Sequence, residues 1–104
     1  MITPSEVPSW SLIDPDGSLV GRLELEEDDW PWTKCRFEPG PRYTTLAPTF
    51  ERELQVLASG DWNAWREAAN AILALRLELR PEGGGAALHP SLVRVDLKHA
   101  WFRD

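Results

Sequence analysis

Along this chain polar and apolar positions alternate, lengthen to a helical period, then alternate again. Leu19, Gly21, Leu23 and Leu25 interleave with Val20, Arg22, Glu24 and Glu26. A period of two predicts a half-buried strand with the odd positions inward. Ahead of it, Trp10-Ser11-Leu12-Ile13 reads as a short strand. Asp14-Pro15-Asp16-Gly17 joins the two, because Pro fixes φ and Gly accepts the positive φ a tight turn needs. A third strand is predicted from Trp32 to Glu38, with Thr33, Cys35 and Phe37 on one face and Trp32, Lys34, Arg36 and Glu38 on the other. Antiparallel pairing with its predecessor would set Lys34 and Arg36 beside Glu24 and Glu26, where cross-strand opposite charges contribute roughly 0.2–1 kcal/mol each.

Pro39-Gly40-Pro41 ends that strand. Leu46, Phe50, Leu54 and Leu57 then recur at helical spacing, with Glu51, Arg52, Glu53 and Gln55 expected on the outer side and Pro48 in the first turn. Ser59-Gly60 closes the helix. Asp61 is a suitable N-cap for a second one, whose apolar stripe is Trp62, Trp65, Ala69 and Ile72. So short a link predicts a helical hairpin. Alternation resumes at Leu75, Leu77 and Leu79; Pro81–Gly85 reads as a flexible turn between strands. Val93, Val95 and Leu97 mark a fifth strand, Lys98-His99 a tight turn, and Ala100–Arg103 a sixth. The expected fold is therefore α+β: an antiparallel sheet in βββ-αα-βββ order, arranged as two three-stranded meanders, with the helical hairpin packed on one face. Residues 1–104 are expected to form a single domain, with 1–8 as a loose N-terminal lead-in.

Length and charge narrow the functional classes. A chain of 104 residues has room for one core, and six tryptophans can fill much of it, each removing roughly 150–250 Å² from water. The formal net charge of −6 argues against nucleic acid and against anionic membrane surfaces, and favours a cationic partner. A single cysteine allows no intramolecular disulfide, and Met1–Glu6 has neither the basic nor the apolar region of a signal peptide, so the expected location is cytoplasmic.

The candidate chemistry is thin. Cys35 is the only thiol, and Lys34 and Arg36 flank it, but on a strand they point away from it, so an inert buried thiol is the better reading. His89 and His99 stand in no catalytic signature, and His99 with Asp96 would flank an exposed turn. Glu24, Glu26, Glu27, Asp28 and Asp29 place five acids in six positions without the spacing or central glycine of a calcium loop. Gly83-Gly84-Gly85 lacks the Lys and Ser/Thr of a phosphate loop. No catalytic, cofactor or metal residues are assigned. Trp30 and Trp32 are different, because aromatics surrounded by charge are typical of interface anchors, although they would equally serve to cover the sheet.

The run Asp29-Trp30-Pro31-Trp32-x-x-Cys35-Arg36-Phe37-Glu38-Pro39, with Trp62-Asn63-Ala64-Trp65 and Ala100-Trp101-Phe102-Arg103, resembles small hypothetical proteins of high-GC bacteria over nearly the whole chain. The resemblance implies a complete protein and carries over no activity, cofactor or site. The expectation from the residues is a non-enzymatic interaction module of the adaptor or toxin-neutralising kind, monomeric or homodimeric, with a basic protein partner. Trp30 and Trp32 would anchor that partner, and Glu26, Glu27, Asp28 and Asp29 would steer it. The rival expectation is a small-molecule binding protein or enzyme, its pocket lined by tryptophans and Cys35 between helical hairpin and sheet.

Overall fold

A computed structural model describes residues 7–103, so the expected lead-in lies outside the described residues apart from Val7 and Pro8. Three strands, β1 (Ser9–Ile13), β2 (Leu19–Asp29) and β3 (Trp32–Pro39), precede two helices, α1 (Tyr43–Ser59) and α2 (Trp62–Leu73). Three more strands follow: β4 (Glu78–Pro81), β5 (Leu92–Asp96) and β6 (His99–Arg103). All six strands pair antiparallel in one sheet, in the spatial order β4-β1-β2-β3-β6-β5. The class is α+β. Among the described residues no helix is long and apolar enough to cross a membrane.

The β1–β2 turn is built from Asp14. Its Oδ1 accepts the backbone N–H groups of Asp16 and Ser18, both at 2.9 Å, and Gly17 takes φ +85°. Side-chain acceptors of this kind stabilise a turn by satisfying amides that a ladder cannot reach.

The simple alternation expected for β2 is broken twice. Leu12 pairs with Gly21 and Ile13 with Leu19, so Val20 has no partner and turns fully inward while Leu19 is left exposed. The register shifts again between Leu25, opposite Cys35, and Glu27, opposite Lys34, which leaves Glu26 over. The acidic run Glu26–Asp29 is thus the end of the strand itself. Each extra residue bends its strand and increases the twist. The sheet is accordingly curled: Trp10 on β1 and Phe102 on β6, separated in the sheet by two strands, meet edge to face at 5.2 Å between ring centroids.

The concave side holds the core. Leu12, Leu23, Cys35, Leu79 and Val95 are essentially inaccessible, and α1 and α2 contribute Leu46, Phe50 and Ile72 to the same cluster. Asp61 caps α2 as expected, its Oδ1 accepting Asn63 N–H and Ala64 N–H at 3.1 Å each. Gly60, at φ +76°, ends α1. The helix faces differ from expectation. α1 begins at Tyr43, which places Pro48 within the helix, and it buries Leu46, Phe50 and Glu53, leaving Leu57 exposed. α2 buries Ala68 and Ile72 and exposes Trp62.

The second meander does not form. The glycine loop turns the chain back on β4 for a single bridge, Leu79 with Leu88, and β4 otherwise pairs with β1. β5 joins β6 at the far edge, through a turn at Leu97 and Lys98 that leaves Leu97 exposed and not inward. On the outer face, Glu82 accepts from Ser9 Oγ at 2.6 Å and from Arg22 Nε at 2.8 Å, tying the end of β4 to β1 and β2. These bonds, led by that of Ser9, hold its carboxyl below the usual range.

Gly21 sits where the bulged strand crosses Phe37. A Cβ there would press into the Phe37 ring and lie 2.8 Å from the Glu38 carbonyl oxygen. Overpacking of a dense core costs about 1–3 kcal/mol. Gly21→Ala is therefore expected to lower stability by that amount in urea unfolding followed by circular dichroism, with an unchanged slope. A loss below about 0.5 kcal/mol would show that the ring has room to move.

Candidate functional site

Beyond Leu25, β2 outruns β1, while β3 stays paired with β6 as far as Thr33, opposite Phe102. The β1–β2 register ends at Ser9 and Glu24, with one further bond from Leu25 N–H to Pro8 O at 2.8 Å. From Glu26 onward, β2 has no strand on its other side among the described residues. The rungs Glu27–Lys34, Asp28–Thr33 and Asp29–Trp32 carry the ribbon to a two-residue turn, Trp30-Pro31, joined by a cis peptide bond.

The two candidate anchors have opposite surroundings. Trp30, at the tip, is 88% exposed. Trp32, two residues on, is half-buried against the core cluster, with the Arg94 guanidinium 4.8 Å and that of Arg103 5.6 Å from its ring centroid. Cations over an indole face are attracted by the ring quadrupole, so two guanidiniums hold Trp32. Glu26 Oε1 lies 3.5 Å from both Lys34 Nζ and His99 Nε2. Glu27, Asp28 and Asp29 are exposed and have no ion-pair partner among the described residues. The tip therefore combines one bare indole with three uncompensated carboxylates.

Behind this surface Cys35 is fully buried, and that burial, with the Glu26 charge second, pushes its thiol up to about 12. A thiol so placed is neither a nucleophile nor a metal ligand near neutral pH. Asp96 and His99 face each other across the β5–β6 turn, but the His99 imidazole is near Glu26 and Trp101. Among the described residues no three His, Cys, Asp or Glu side chains converge as a metal site would require.

The most buried polar group lies elsewhere, where the sequence reading set a solvent-facing residue. Glu53 is 0% exposed. Its Oε1 accepts Arg94 Nε at 2.8 Å, and its Oε2 accepts Arg94 Nη2 at 2.9 Å and Trp65 Nε1 at 2.7 Å. The sequence did hold a signal. Leu46, Phe50 and Glu53 follow the four- and three-residue steps of one helical face, and Glu53 occupies the third position of that face. Arg94 then stands between Glu53 and Trp32, so the helices and the last rung of the β2–β3 hairpin are joined through one guanidinium.

The described residues also form a cleft away from the hairpin tip. A cleft of about 500 Å³ opens between the C-terminal end of α2, the β1–β2 turn, and the facing edges of β4 and β5. Neither a tryptophan nor Cys35 is on its walls. Trp62 and Trp65 border only a depression of about 20 Å³ between the helices. No family model, characterised protein or solved structure matches the chain, so the site stands on its own residues.

Proposed function

We propose that this protein is a non-enzymatic interaction module that docks a basic segment of another protein onto the tip of its β2–β3 hairpin. The observation that carries this reading is Trp30. A large indole left 88% exposed at the turn of this hairpin forgoes the burial that its size rewards, unless a partner supplies it. Glu27, Asp28 and Asp29 surround it with uncompensated negative charge, which raises the encounter rate with a cationic surface and disfavours an acidic one. The same charges repel a second copy of the tip. A monomer is therefore expected in light scattering at high protein concentration.

Adaptor and neutraliser of a basic toxin both fit this chemistry, acting in the cytoplasm, where Cys35 would remain reduced. Extract of the native host is the source from which to identify the partner, whose purified form is then titrated against wild-type protein. Trp30→Ala should weaken binding by tenfold or more while leaving the melting temperature within about a degree, since an exposed side chain is lost. Neutralising Asp28 and Asp29 as amides should lower the association rate and flatten its salt dependence. A partner that binds the Trp30→Ala protein as tightly as wild type, or one that carries no basic segment, refutes the proposal.

A further inference from the structure

We infer that the cleft at the end of α2 binds a small carboxylate bearing an apolar tail. At about 500 Å³ it falls within the range of roughly 300–1,000 Å³ usual for small-molecule sites, and its inner wall is the buried apolar side chains Ile72, Leu77 and Leu92. The polar groups at its rim do not cancel. Arg80 is engaged by Glu78 at 2.8 Å. Asp14 spends one oxygen on the two turn amides and has the other 2.9 Å from Arg42 Nε. Arg76 is exposed on the cleft wall with no ion-pair partner among the described residues. In a chain of net charge −6, a pocket whose uncompensated formal charge is positive is selective for anions.

The backbone of Arg76 closes the helix, its N–H donating to Leu73 O at 3.1 Å. It takes φ +53° just past the end of α2, a left-handed conformation in which a Cβ crowds the following carbonyl oxygen. Glycine or asparagine fills this place after a helix more easily. The planar guanidinium offers two parallel N–H donors that match a carboxylate. A phosphate dianion would meet only this one unpaired arginine, with Glu78 and Asp14 close by. The apolar wall has no use for a small ion, and a hydrocarbon tail fills it.

Isothermal titration of the full chain with hexanoate and with 3-phenylpropanoate tests the inference, using hexanol and inorganic phosphate as controls. Saturable binding is expected for the carboxylates and at least tenfold weaker binding for both controls. Arg76→Gln should weaken hexanoate tenfold or more. Arg76→Gly should do the same without the left-handed backbone cost, so a variant that melts no lower yet fails to bind separates recognition from folding. Arg76→Lys, which keeps the charge and loses the fork, should fall between. Trp30→Ala should bind hexanoate as wild type does, which keeps this site separate from the hairpin tip. No saturable binding by either carboxylate, equal binding of hexanol, or full binding by Arg76→Gln overturns the inference.

Discussion

Glu53→Ala is expected to be the most damaging single substitution in this protein, costing about 3–5 kcal/mol in urea unfolding. A fully buried carboxylate is tolerated here because three donors meet its two oxygens at 2.7–2.9 Å. Truncation removes the acceptor and leaves the donors. The Arg94 side chain, only 19% exposed, would keep its charge without a partner, and Trp65 Nε1 would lose its bond. Against the roughly 5–15 kcal/mol that holds a domain folded, this is enough to unfold a marginal one. Glu53→Leu with Arg94→Leu should recover most of the loss, since an apolar pair of similar volume has no charge to desolvate. Arg94→Lys should stay well below wild type, because an ammonium cannot span both oxygens and still cover Trp32. A loss under about 1 kcal/mol for Glu53→Ala would mean that water reaches the site as soon as the carboxylate is gone.

That network also decides how the candidate docking tip is mounted. Trp32 is clamped by Arg94, Arg94 by Glu53, and Glu53 receives Trp65 from the second helix. The last rung of the hairpin, Asp29 with Trp32, is thereby fixed to the helices, and the turn with Trp30 and the three acids before it lie beyond the end of β1. A rigid mount reduces the ordering cost of binding, and the exposed indole then contributes more of its burial to affinity.

Local features were legible in the sequence and long-range ones were not. The Asp14 turn, the Asp61 cap and the alternation that buries Cys35 and Phe37 all follow from residues within a few positions of one another. The bulges at Val20 and Glu26 are set by how β2 meets its neighbouring strands, and nothing in the run itself marks them. Glu53 reads as a surface residue because a lone buried carboxylate is prohibitively costly. Its burial becomes possible only through Arg94, 41 residues later. The pairing of β4 with β1, across the sheet from β5, is likewise a choice between non-local partners. Trp30 and Trp32 show the same limit within the candidate site. Both follow the same acids, yet Arg94 and Arg103, from strands 60 and more residues downstream, cover one ring and leave the other bare.

Cys35 should resist thiol reagents in the native protein and react at once when the chain is unfolded. With its pKa raised to about 12, roughly one thiol in ten thousand is ionised at pH 8, and the surrounding sheet admits no reagent to that fraction. The native rate with an aromatic disulfide reagent should therefore be lower by three orders of magnitude or more than the rate in concentrated guanidinium chloride, where about one thiol in ten is ionised. The same shift sets a pH dependence of stability. The unfolded thiol ionises near its ordinary value of 9.0 and the folded one near 12, so the folded state retains a proton that the unfolded state releases. The contribution is complete below about pH 9 and is lost as pH rises toward 12, so the urea midpoint should fall steadily across that window. Tyr43, also pushed upward, first by burial and then by Glu51 and Asp96, acts in the same direction from about pH 10. Cys35→Ala should make the decline between pH 9 and 10 shallower, since Tyr43 contributes only from about pH 10 upward. Rapid native labelling at pH 8 would instead show that β3 opens locally, which would also free the base of the ribbon that carries Trp30.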